Sequence, residues 1–181
     1  MSSGPRYDRE YVLLAGRVVA RSLDPFIDRL GFVGSFRRGL PTCGDIDILT
    51  IPRDGVSQEQ CNRAFESVCL SRRLESEGSG LSVGMVSPNE AQGLEAVPVN
   101  VFYTVPEEWG AALMYTTGSK AFNLKYRSIA KARGFKVSQY GVFDRNDNPI
   151  PDSGFSERAV CRTIGIPWLP PRFRDGKRLS L

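Results

Sequence analysis

Between Gly34 and Ile51 the chain reads GSFRRGLPTCGDIDILTI, two arginines followed by two aspartates one residue apart at the head of a β-branched run. Successive side chains of a strand alternate faces, so Asp45 and Asp47 point the same way with Cα atoms about 6.6 Å apart. Paired carboxylates suit a hard divalent cation such as Mg²⁺, which takes carboxylate and phosphate oxygens and keeps water in its other positions. The residues upstream supply the anion side of that chemistry. Gly34 and Ser35 offer backbone amides and a hydroxyl, and Arg37 or Arg38 adds a forked donor that matches phosphate. Gly44 lets the backbone approach a ligand closely. Without a cation the two carboxylates repel.

The chain has no histidine. Ser-His-Asp and Cys-His catalysis, histidine acid-base steps and mixed Cys/His zinc sites are therefore excluded. Cys43, Cys61, Cys69 and Cys161 form no CxxC pair, which reads as free thiols in a reducing compartment. A net charge of +4 and a pI of about 9.0 are compatible with a polyanionic partner. No apolar run approaches the ~20 residues of a membrane span and no signal-peptide core is present, so the expectation is an intracellular protein without membrane contact. Cytoplasmic, nuclear and virion-associated settings fit equally.

The elements that must position these residues follow from periodicity. Arg6 to Leu23 reads as an amphipathic helix, Phe32 and Val33 as a short strand, and Asp45 to Ile51 as a strand ended by Pro52. Ser57, with Gln60 three residues on, caps a helix expected to reach about Arg72. Strands over Leu81–Val86 and Val97–Thr104 complete a mixed α/β lobe, residues 1–105. In the second lobe, 106–181, Pro106 opens a short helix over Glu107–Tyr115, and Ser119 caps a longer one to about Arg133, which Gly134 ends. Short strands with a turn at Arg145–Pro149, a helix near Glu157–Ile164 and a proline-rich basic tail follow. Lys120, Arg127 and Lys131 share one face of the Ser119 helix, with Lys125, Arg133 and Lys136 close by and Arg172, Arg174, Lys177 and Arg178 in the tail, a path suited to backbone phosphates. Trp109 and Trp168 are candidates for base stacking or for packing.

GSFRRG followed by CGDIDILTI resembles the nucleotidyltransferase signature of family X DNA polymerases, the polymerase beta group. Tyr115-Thr116-Thr117-Gly118-Ser119, Phe122-Asn123, Arg127, Gly134-Phe135 and Gln139-Tyr140 resemble, in order and spacing, the family segment that holds the incoming nucleotide. The resemblance runs from about residue 6 to 178. It implies an α/β (α+β) fold, a nucleotidyltransferase palm with a mixed sheet plus a small C-terminal α/β lobe that closes on the nascent base pair. It implies a monomer that fills short gaps in DNA repair, adding dNTPs to a primer 3′-hydroxyl on gapped or primer-template DNA. Two Mg²⁺ ions, with Mn²⁺ as a substitute, are implied as cofactors. Ser35, Arg38 and Gly44 are implied to hold the triphosphate, and Asp45 and Asp47 both metals. Tyr115, Thr116 and Gly118 fall at the sugar, and Asn123 and Arg127 at the minor-groove side of the nucleotide and the template.

Departures from the pattern carry their own expectations. The lyase domain and fingers of larger members are absent from the sequence given, as in the reduced viral polymerases X, so no lyase activity or downstream-DNA grip is expected. Thr116 replaces a familiar aromatic, and Lys120 stands where an acid is usual. The third catalytic aspartate of the family falls on Asn100 in VPVNVFY, on the strand face opposite Val97, Val99 and Val101. An amide is isosteric but neutral and cannot take a proton, so extension is expected to be slow or absent. Both an engineered and a natural asparagine fit, and the expectation is the engineered one, because Asp→Asn is a common change for trapping a substrate complex. A silent DNA-binding or end-bridging module and a template-independent nucleotidyltransferase remain alternatives.

Overall fold

The computed structural model describes residues 4–74 and 80–179. They divide into two compact units: the chain through Phe36 with Leu40–Tyr103, and Arg37–Gly39 with Thr104 onward. Among the described residues no helix is long and apolar enough to cross a membrane.

The first unit opens with a two-residue strand, β1 (Tyr7–Asp8), and helix α1 (Arg9–Leu23). Strand β2 (Ile27–Phe32) leads into a single helical turn, α2 (Gly34–Arg37), and then to β3 (Thr42–Cys43) and β4 (Ile46–Pro52). Helix α3 (Gln58–Glu66), β5 (Ser71–Leu74), β6 (Leu81–Val86) and β7 (Val97–Tyr103) complete it. The main sheet runs β2-β4-β7-β6-β5; β4 and β7 are parallel and every other pairing is antiparallel. The strand at the centre of the site is apolar on its buried face, with Ile46 and Ile48 at 0% exposure against Val12, Ala15 and Val19 of α1. Each such side chain contributes about 1.5–3 kcal/mol on burial, which makes β4 a rigid platform for its polar residues. β1 pairs with β3 through Tyr7 and Cys43, tying the N-terminal strap to the segment just before Gly44.

Three sequence expectations shift here. α1 begins at Arg9 rather than Arg6, because Tyr7 and Asp8 are drawn into pairing with β3. The capping box of Ser57 and Gln60 forms as expected, but α3 stops at Glu66. The chain beyond it extends, with Leu70 N–H donating to Met85 O at 2.8 Å and Ser71–Leu74 adding the edge strand β5. Phe32 proves to be the end of a strand that starts at Ile27, and Val33 follows it.

The second unit contains α4 (Trp109–Thr117), α5 (Lys120–Ala132), the hairpin β8 (Lys136–Ser138) and β9 (Gly141–Phe143), and α6 (Glu157–Ile164). Met114, Phe122, Tyr126, Ile129, Val142, Val160 and Ile164 form its core. Ser119 accepts from Phe122 N–H and Ser156 from Ala159 N–H, so α5 and α6 both start on hydroxyl caps. α4 crosses the start of α6 at Gly110, where an added Cβ would lie 2.1 Å from Ser156 Cα.

Candidate active site

Asp47 sits inside β4, opposite Asn100 of β7 in the parallel register, and Asp45 immediately precedes the strand. Strand alternation therefore orients Asp47 directly, whereas the turn held by the β1–β3 pairing delivers Asp45. The Asn100 amide gathers both: Nδ2 donates to Asp47 Oδ1 at 2.8 Å and to Asp45 Oδ2 at 3.3 Å. On the other side of Asp47 lies the turn that follows β2. Val33 N–H donates to Asp47 O at 2.8 Å, and a Cβ on Gly34, whose φ is +56°, would fall 1.8 Å from Asp47 Oδ2. Only glycine fits there, and the next residue, Ser35, has a buried Oγ without a hydrogen-bond partner in the protein. At Gly44 a Cβ would make only ordinary contact with Pro5 O at 3.8 Å, so the surrounding protein does not itself demand glycine.

Among the described residues no group of three His, Cys, Asp or Glu side chains is placed to hold a metal. The donor set fits one divalent ion on Asp45 and Asp47. It does not fit a second that would draw on position 100, where the side chain presents N–H donors to the carboxylates.

In the second unit the two arginines separate in role. Arg37 spends its fork on Glu157, at 2.7 and 3.1 Å, and also donates to Thr117 Oγ1 at 2.7 Å. Arg38 donates to Thr117 O at 2.5 Å, just before Gly118. Glu157 is 6% exposed and receives Arg174 Nη1 at 2.7 Å and Trp168 Nε1 at 3.1 Å as well. Burial pushes its carboxyl up, but the hydrogen bonds from Arg37 and Arg174 outweigh that and hold it down at about 2. Glu157 did not stand out in the sequence and Arg174 was read only as part of the basic tail, since the Arg37 that joins them in one network lies 120 residues from Glu157.

Asn123 donates from Nδ2 to Tyr115 O at 2.7 Å, leaving its buried Oδ1 without a partner in the protein. That bond draws α5 against the end of α4, where Gly118 has φ +63° and its peptide bond to Ser119 is cis. Thr116 Oγ1 bonds back to Ala112 O at 2.7 Å. Lys120, Arg127 and Lys131 are exposed along α5, with Leu124 62% exposed among them.

The wider basic path needs correction. Arg174 is 2% exposed and belongs to the Glu157 network, and Arg133 is committed to the Ile164 and Gly165 carbonyls that end α6. Trp109 is buried, and Trp168 is held by Glu157 beneath the Arg158 guanidinium. Both tryptophans serve packing.

The family description DNA polymerase beta palm matches residues 5–80, and DNA polymerase beta thumb matches residues 112–175. Together they span well over half of the chain. The chain belongs to family X of the DNA polymerases. It is 27% identical to DNA polymerase lambda of Rattus norvegicus over 94% of the chain and 33% of that protein. It is 29% identical to the DNA polymerase/3'-5' exonuclease PolX of Bacillus subtilis, again over 94% of the chain, and 29% of that protein. With Repair DNA polymerase X of African swine fever virus it shares 24% identity over 78% of the chain and 79% of the viral protein. The chain thus spans about a third of the length of the first two relatives and most of the third. Mixed sheet and helices agree with the family X palm and thumb.

Proposed function

We propose that this chain is a template-directed DNA polymerase of the gap-filling kind, adding dNTPs to a primer 3′-hydroxyl on gapped DNA, and that Asn100 makes it slow. The observation that carries this reading is the convergence of Asp45, Asp47 and Asn100 beside the Gly34–Ser35 turn, in a chain of family X. Asp45 and Asp47 would hold Mg²⁺, or Mn²⁺ in its place, which when bound polarises phosphate oxygens and steadies the leaving pyrophosphate. Ser35, Arg38 and Gly44 are assigned to the triphosphate, with the unpartnered Ser35 hydroxyl supplying a donor. Tyr115, Thr116 and Gly118 are assigned to the sugar, and Asn123 to the nucleotide edge through its unpartnered Oδ1. Arg127, with Lys120 and Lys131, takes the template and its backbone phosphates. We place the chain as a monomer, its palm and nucleotide-binding lobes dividing near residue 105.

Asn100 cannot accept the proton of a 3′-hydroxyl as a carboxylate would. That single residue favours the second reading, a DNA-binding module without extension activity. One-nucleotide-gapped duplex offered each of the four dNTPs in turn separates the two. The polymerase reading expects slow addition of the templated base alone, abolished by Asp45→Ala; DNA binding without any addition selects the module, and untemplated addition a template-independent nucleotidyltransferase.

A further inference from the structure

Position 100 sets how many cations the carboxylate pair takes. The Asn100 Nδ2 carries two protons and no lone pair for a metal, and it is directed at both Asp47 Oδ1 and Asp45 Oδ2. The orientation follows from chemistry, because turning the amide oxygen inward would set it against two carboxylates. For position 100 to ligate an ion, the amide must rotate, exchanging two charge-assisted hydrogen bonds for one neutral carbonyl ligand. Charge points the same way. Asp45 and Asp47 bring two carboxylates to the first ion, whereas position 100 offers a neutral amide that adds no negative charge to offset the dehydration of a second.

We infer that this chain is a one-cation nucleotide binder. Asp45 and Asp47 hold a single divalent ion completed by triphosphate oxygens, and the Asn100 amide holds the two carboxylates together where a second ion would otherwise do so. The inference rests on the nucleotidyltransferase reading, which supplies the triphosphate.

Counting Mn²⁺ by electron paramagnetic resonance on the full chain, saturated with a non-hydrolysable dNTP analogue, tests it without reference to turnover. One Mn²⁺ per nucleotide-bound chain is expected, against two for Asn100→Asp, with the second ion at least about 100-fold tighter in the variant. Two ions of similar affinity on the unaltered chain overturn the inference, as does a count of one on folded Asn100→Asp. The count on the unaltered chain needs no substitution, so a variant that fails to fold leaves the test standing. An analogue that binds neither protein in the presence of Mn²⁺ overturns the nucleotidyltransferase reading itself.

Discussion

Gly34 is the residue on which the carboxylate cluster closes most tightly. A side chain there meets both a positive φ and the Asp47 carboxylate, 1.8 Å from the Cβ position. Gly34→Ala is therefore expected to destabilise the protein by on the order of 2 kcal/mol and to weaken Mn²⁺ binding by displacing Asp47; chemical denaturation and a metal titration check the two effects. Unchanged metal affinity would show that Asp47 has room to move. At this scale the sequence was highly informative. Asp45 and Asp47 were legible from strand parity and Asn100 from the family resemblance, and the structure brings the Asn100 amide within hydrogen-bond reach of both carboxylates. The difference between Arg37 and Arg38 was not legible, because two adjacent arginines carry no local sign of which one a distant glutamate will claim.

At the scale of elements, the helix caps read at Ser57 and Ser119 both accept from the backbone of the first turn, and the structure adds a third hydroxyl cap at Ser156 that the sequence reading passed over. Helix ends were harder. No glycine or proline follows Ser57 before residue 78, and α3 ends at Glu66 because β6 offers its edge to the next segment, a pairing invisible to a local window. The α4–α6 crossing was equally hidden, though it depends on one glycine. Gly110→Ala drives a methyl into the Ser156 backbone and is expected to cost about 1–3 kcal/mol in the second unit, measured by urea denaturation. The exposed stripe on α5 makes a different prediction. If Lys120, Arg127 and Lys131 each contact a phosphate, replacing all three with alanine should weaken binding to gapped duplex and flatten the slope of log affinity against log salt by about 0.9 per contact. An unchanged slope would assign the stripe to solvent.

Across the whole molecule, one buried carboxylate governs the response to acid. Glu157 titrates near 2 in the folded protein against an ordinary value of 4.5, so its contribution is fully present above about pH 4.5 and disappears as pH falls toward 2. Glu157→Gln leaves Arg174, 2% exposed, without its counter-charge, a loss expected to reach about 3–5 kcal/mol at neutral pH. The variant should also lose the extra acid sensitivity between pH 4.5 and 2, as followed by circular dichroism. Basic composition, absent histidine and paired aspartates pointed to carboxylate and metal chemistry on a polyanion, and family membership agrees with that direction. The most direct test of the central claim is single-turnover extension of a one-nucleotide gap with Mg²⁺, comparing the unaltered chain with Asn100→Asp. A rise of at least about 100-fold in the variant is predicted, since a carboxylate restores both a charged ligand and a proton acceptor. Equal, efficient extension by the two proteins would contradict the assignment of Asn100 as a disabled third ligand.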